Sequence, residues 1–161
     1  MFLTVHATAG AAVGALTGNP ILGFLFGVIS HFTLDIIPHG DENLAPPCAG
    51  ATCTHREEVR FLIRLACVDG VIMLGVLAWL LMPWVTLPTW SVLAGIVGGV
   101  LPDVGQGLGA LLPRVRPLAE FKRIHDWIHV DIIRFETPFA LGMVTQFAAL
   151  SFFIGVFRVL L

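Results

Sequence analysis

The sequence predicts an all-α, polytopic transmembrane bundle of about five helices plus an interfacial helix, forming a single integral membrane domain over residues 1–161. Of the 161 residues, 57% are hydrophobic and only 12% are charged. Soluble domains carry about 25% charged residues, so this chain has too few to cover a water-soluble globule. The hydrophobic residues also fall into long stretches separated by glycine and proline, as expected for membrane helices.

Five apolar stretches are predicted to be the helices. The first two, residues 2–16 and 20–37, are separated by Gly18-Asn19-Pro20, a turn signal with Pro20 at a helix start. The third follows Glu57 and Glu58 and reaches Met82. The fourth begins near Thr89 and either ends at Pro102 or continues towards Leu112, and the fifth covers about residues 137–161. The first and fourth are short for a full crossing, which needs roughly 20 residues.

Glycines spaced by four residues predict close helix packing. Gly10, Gly14 and Gly18 form one such series, and Gly23 and Gly27 form another. Small residues at this spacing let helices approach closely in lipid, within one chain or between copies. A homo-oligomer is therefore permitted.

Basic residues predict the orientation of the bundle. If all five stretches cross, eight basic residues share one side: Arg56, Arg60, Arg64, Arg114, Arg116, Lys122, Arg123 and Arg134. Only Arg158 falls on the other side. By the positive-inside rule, the first side is predicted to be cytoplasmic. The N-terminus is predicted on that side, and an interfacial helix is predicted at about residues 118–130.

Histidines and aspartates are predicted to gather on the same side as the basic residues. His31 and Asp35 stand at i and i+4, so they project from one helix face, and His39 and Asp41 follow. His125 and His129 repeat this spacing. Imidazole nitrogens and carboxylate oxygens are the ligands of zinc and related metals.

Three further residues join this prediction. Asp69 lies in an apolar stretch, where a carboxylate costs at least ~2.5 kcal/mol to insert and indicates a function. His6 lies near the start of the first helix, and Asp103 follows Pro102. The predicted ligands of one or more divalent ions, zinc foremost, are His6, His31, Asp35, His39, Asp69, Asp103, His125 and His129. Asp41 and Asp69 are the predicted catalytic carboxylates.

These residues resemble a known family. The early His6, the stretch SHFTLDIIPHGD at residues 30–41 and the LPD at residues 101–103 are similar to motifs of the membrane-bound metal-dependent hydrolases of bacteria and archaea. In the better known inner-membrane members, LPD precedes the SHxxxD helix. By its ligand types, the family is distantly similar to zinc-dependent phospholipase C and P1 nuclease. The resemblance implies a metal-dependent hydrolase of the inner membrane.

The leading hypothesis is therefore hydrolysis of a phosphoester or lipid-linked substrate at the cytoplasmic membrane surface, with membrane lipids as partners. The alternatives are a haem or electron-transfer protein, a metal or proton transporter, and a scaffold without catalysis. No phosphate-binding GxxxxGK[ST] motif occurs, and the net charge of -2 gives no indication of nucleic-acid binding.

Overall fold

The computed structural model describes residues 1–40, 55–82, 89–131 and 137–160, and the regular structure in these ranges is entirely helical. The elements in chain order are α1 (Leu3–Thr17), α2 (Pro20–Asp35), α3 (His55–Leu81), α4 (Thr89–Leu111), α5 (Arg116–Asp126), a π-helical segment (Trp127–Asp131) and α6 (Phe139–Val159). The prediction of an all-α fold is confirmed.

The turn between α1 and α2 forms as its sequence predicts. Gly18 adopts a left-handed conformation with φ of 61° and ends α1 by donating its N–H to the Gly14 carbonyl. The Asn19 side chain then accepts hydrogen bonds from the N–H groups of Ile21 and Leu22, and Pro20 begins α2. A Cβ atom on Gly18 would meet nothing within 4 Å among the described residues, so the observed role of Gly18 is to cap α1.

Three of the helices contain segments long and apolar enough to cross a membrane: Val59–Leu81, Trp90–Leu111 and Phe139–Val159. Large apolar side chains on these helices point outward, as lipid-facing residues do; Val71 is 71% exposed and Val144 is 62% exposed. α1 and α2 are apolar but shorter, with 15 and 16 residues. Five crossings, the interfacial position of α5 and the sidedness of the bundle remain predictions.

α4 continues through Pro102 to Leu111, which agrees with the longer of the two predicted versions. Pro102 has no N–H group, so it donates no helical hydrogen bond to the carbonyl of Gly98. The next carbonyl of α4, that of Gly99, interacts with a histidine of α2, described below.

Glycines bring the backbones of α1, α2 and α4 into direct contact. A Cβ atom on Gly10 would overlap the carbonyl oxygen of Gly95, and one on Gly14 would overlap that of Ser91. From α2, Gly27 faces the carbonyl of Gly95 in the same way. α1 and α4 therefore run antiparallel and α2 and α4 run parallel. The predicted glycine faces are thus covered within the chain.

α1 is the central helix of this arrangement. Its residues from Thr4 to Ala12 are all buried, and it packs against α2, α3, α4 and α6. Towards its C-terminal half it contributes to an apolar core that consists of Ala11, Ala12, Leu80, Val92 and Phe157. Around its N-terminal half, a second apolar cluster of Met1, Val5, Ala9 and Leu34 lies beside buried polar residues.

We expect Gly95→Ala to destabilise the bundle by about 1 to 3 kcal/mol, because the added methyl would overlap the Gly10 carbonyl and force α1 away from α4. Unfolding in mixed micelles with increasing dodecyl sulfate would measure the change. Gly75→Ala in α3 is the matched control, since a Cβ there meets nothing within 4 Å. Equal destabilisation by both variants would contradict this account of the packing.

Candidate metal centre

The register set by the glycines places the predicted ligands of three helices at one level. Gly10 and Gly27 both face Gly95. One helical turn away, towards the N-terminus of α1 and the C-termini of α2 and α4, the His6 backbone approaches Gly99. At the same level, His31 Nδ1 lies 2.8 Å from the Gly99 carbonyl oxygen. Another turn on, Asp35 of α2 reaches the level of Asp103 of α4. Repeats of four residues thus align the glycines and the polar residues on the same helix faces.

Two groups of side chains have ligand atoms within 4.8 Å of one another. The first consists of His31, Asp35, Asp103 and His125, and the second consists of Asp35, His39 and His129. Each group can hold a metal ion. The pair His31 and Asp35 lies in the first group, and the pair His125 and His129 is divided between the two groups. Asp35 belongs to both groups.

The first group has the spacing of ligands around one ion. His31 Nε2 lies 3.0 Å from both Asp35 Oδ2 and His125 Nε2. His125 Nε2 is 3.6 Å from Asp35 Oδ2 and 3.6 Å from Asp103 Oδ1. Two ligand atoms each ~2.1 Å from a metal ion are roughly 3.0 to 3.5 Å apart for the common coordination angles.

The second group forms where the chain leaves α2. His39 Nε2 lies 3.0 Å from His129 Nε2, and His129 Nε2 is 3.9 Å from Asp35 Oδ1. The nitrogen of Met1 borders this group, 2.7 Å from Asp35 Oδ1 and 2.8 Å from His39 Nε2.

Buried polar atoms in this region lack hydrogen-bond partners among the described residues. They are Asp35 Oδ2, His125 Nδ1 and both ring nitrogens of His6. Asp35 is only 2% exposed and His6 is fully buried. Leaving such atoms unpaired costs about 1 to 3 kcal/mol each. Among these atoms, Asp35 Oδ2 lies close to the imidazole nitrogens of His31 and His125 without hydrogen-bond geometry, which is the arrangement expected of a metal ligand.

Backbone carbonyls orient two of the histidines. Because a carbonyl only accepts, His31 Nδ1 donates to Gly99 and His39 Nδ1 donates to Ile37, at 2.8 and 2.6 Å. In the neutral imidazole, the Nε2 atom then carries the lone pair. Both Nε2 atoms point into the two groups, and metal-binding histidines are oriented in this way in general.

His125, in α5, is neutral over the range in which a metal would bind. Burial of its imidazole lowers its pKa from 6.5 to about 4. A neutral imidazole can donate its lone pair to a metal at neutral pH without first losing a proton.

The remaining predicted residues have different positions. His6 stacks on His31 with ring centroids 4.0 Å apart, and its Nε2 lies 3.1 Å from Asp35 Oδ1, but it belongs to neither group. Asp69 also lies outside both groups, and its Oδ1 accepts a hydrogen bond of 2.5 Å from Thr4. Asp41 lies outside the described residues.

Two residues of α6 support the centre without appearing in the sequence prediction. The Gln146 side chain accepts from the N–H of Phe2 at 2.9 Å and donates to the carbonyl of His39 at 3.0 Å. Gly142 lets the His39 backbone lie directly against α6, where a Cβ atom would overlap it. A single glutamine and a single glycine in an apolar helix carry no local signal that links them to residues more than 100 positions away.

Comparisons with models of protein families, with curated proteins and with solved structures find no match to this chain. The case for the metal centre therefore comes from its own residues.

We expect Gln146→Leu to lower stability by about 1 to 3 kcal/mol, because it leaves the Phe2 N–H and the His39 carbonyl without this partner in a buried position. The thermal unfolding midpoint in detergent would show the change. Gln106→Leu is the matched control; Gln106 is only half-buried and its partner Asp126 keeps its ion pair with Lys122. A midpoint that falls no further for Gln146→Leu than for Gln106→Leu would contradict the bridging role.

Proposed function

We propose that this protein is a membrane-embedded, metal-dependent hydrolase that acts on a phosphoester or lipid-linked substrate at the cytoplasmic face of an inner membrane. The observation that carries the proposal is the convergence of His31, Asp35, His39, Asp103, His125 and His129 into two groups of metal-ligand spacing. These residues come from distant parts of the chain, and purely structural polar contacts would not require so many of them.

The chemistry of the donor set agrees with a first-row divalent ion, with zinc as the leading identity. When bound, such an ion lowers the pKa of a coordinated water to ≈ 7 and polarises a phosphoryl oxygen. Asp35 is buried, while Asp103 and His129, whose side chains are 20% and 15% exposed, border the more open part of the centre. A substrate would enter from that part.

Basic residues near the centre support a phosphorylated substrate. Arg114 and Arg116 are exposed at the start of α5, and Arg123 is 82% exposed. Exposed arginines next to a membrane attract anionic lipid headgroups. The neighbouring Ile124 and Trp127 are more than half exposed and suit the interface between lipid and water.

The geometry favours metal ions over haem. The two axial ligands of a haem lie on opposite faces of the ring. Here, the Nε2 atoms of His31 and His125 are 3.0 Å apart and both lie beside Asp35, which leaves no space for a macrocycle between them.

The geometry also favours a surface reaction over transport. A path through the bilayer needs polar residues along the whole bundle. Beyond the histidines, the described interior contains the apolar core of Ala11, Ala12, Leu80, Val92 and Phe157.

The first test is whether the protein purified in detergent holds a divalent metal. We expect bound metal by mass spectrometry in the wild-type chain and less than half as much in Asp35→Asn, because Asp35 belongs to both groups. Asp126→Asn is the matched control, since Asp126 pairs with Lys122 and Gln106 outside the groups. We also expect Asp69→Asn to retain the metal, because Asp69 pairs with Thr4. Wild-type protein that binds no divalent metal would contradict the proposal.

The second test concerns the reaction. We expect the wild-type chain to hydrolyse a short-chain anionic phospholipid in mixed micelles, and we expect a chelator to abolish the activity and added zinc to restore it. Release of the headgroup or of phosphate would be measured. Asp35→Asn should reduce turnover by at least about 100-fold, as loss of a metal ligand does, while Asp126→Asn should not. Turnover that survives complete removal of the metal would disprove metal-dependent hydrolysis.

A further inference from the structure

We infer that the centre holds two ions bridged by the carboxylate of Asp35, and that the ion bound by His39 and His129 is the one that receives water and substrate. This inference rests on the proposed function, because it assigns roles within the same centre. The two oxygens of the Asp35 carboxylate are divided between the two groups.

Each oxygen of Asp35 faces a different set of histidines. Oδ2 lies 3.0 Å from His31 Nε2 and 3.6 Å from His125 Nε2, both in the first group. Oδ1 is the oxygen nearest to His129, at 3.9 Å. A carboxylate that offers one oxygen to each of two ligand sets can hold two ions side by side, at the separation of about 3.5 to 4 Å found in two-metal enzymes.

Asp35 Oδ1 accepts a hydrogen bond from the Met1 nitrogen, which also contacts His39 Nε2, so the second ion would replace a positive charge at this position. Oδ2 is buried and has no hydrogen-bond partner among the described residues, although two imidazole nitrogens lie close to it. A carboxylate oxygen in this position is stabilised by a cation that the imidazoles also bind. A single ion in the first group would use Oδ2 and would leave His39 and His129 without a function.

The two groups differ in the number of ligands. The first supplies four side chains, which complete the tetrahedral coordination of an ion such as zinc. The second supplies three. Catalytic ions have three protein ligands and keep one position for water or substrate. The second ion would therefore carry the reacting water and bind the substrate, and the first would hold Asp35 in place.

His129 is also more accessible to solvent than His125. Its side chain is 15% exposed, whereas the side chain of His125 is 1% exposed. Both lie on the same stretch of chain, with His125 near the end of α5 and His129 in the π-helical segment. The wider turn of a π-helix is common at functional sites. In this chain, the π-helical segment carries His129, a histidine of the second group.

The experiment uses Mn²⁺ as the probe, because two Mn²⁺ ions that share a carboxylate are magnetically coupled. The full chain in detergent would be stripped of metal and titrated with Mn²⁺, with metal content and the electron paramagnetic resonance spectrum as readouts. We expect two ions per chain and a coupled spectrum for the wild-type chain. His129→Ala should fall to one ion with the six-line spectrum of isolated Mn²⁺, and Asp126→Asn should retain two coupled ions.

Asp35→Asn should lose the coupling, because an amide does not bridge in this way, and His129→Ala serves as the second variant if Asp35→Asn does not fold. One isolated ion per wild-type chain would overturn the inference and leave the metal-dependent function standing. No bound Mn²⁺ or other divalent metal would overturn both. Two coupled ions without any hydrolysis would support the shared centre and contradict the proposed reaction.

Discussion

The contact between glycine backbones in α1, α2 and α4 is the constraint on which the rest of the structure depends. Gly10, Gly27 and Gly95 let three helices meet without intervening side chains. In a membrane, where lipid tails are as apolar as leucine, such close packing is a main source of helix association. It also fixes how far each helix is shifted along its neighbours, and this shift determines which polar residues meet.

The polar centre is costly to build at this place, and several features offset the cost. Buried histidines and carboxylates lose their hydration, and those without partners destabilise the fold. Backbone carbonyls from α4 and from the segment after α2 orient His31 and His39. Gln146 joins the segment that carries His39 to the start of α1. A bound cation would add to these interactions by binding the carboxylate of Asp35.

Much of the fold follows from the sequence, because helix bounds depend on local signals. Gly18, Asn19 and Pro20 specify their turn by backbone and capping chemistry alone. The predicted members of the centre also meet in large part, since i, i+4 spacing places pairs such as His31 and Asp35 on one face. The sequence predicts Asp69 to join them because it is a carboxylate in an apolar helix. Its rotation about α3 towards Thr4 depends on tertiary packing, and no local pattern reveals that rotation. The same is true of Gln146.

The alignment of glycines and ligands has a consequence for how the chain tolerates change. Gly27, His31 and Asp35 follow one another at intervals of one helical turn, so contact surface and donor atoms lie along one line on α2. Inserting one residue between Gly27 and His31 would rotate His31 and Asp35 by about 100° relative to the glycine contact. The amino-acid composition would hardly change, yet the donors would face lipid or a different helix. The length of α2 between its glycine contact and its donors is therefore as important to the centre as the donors themselves.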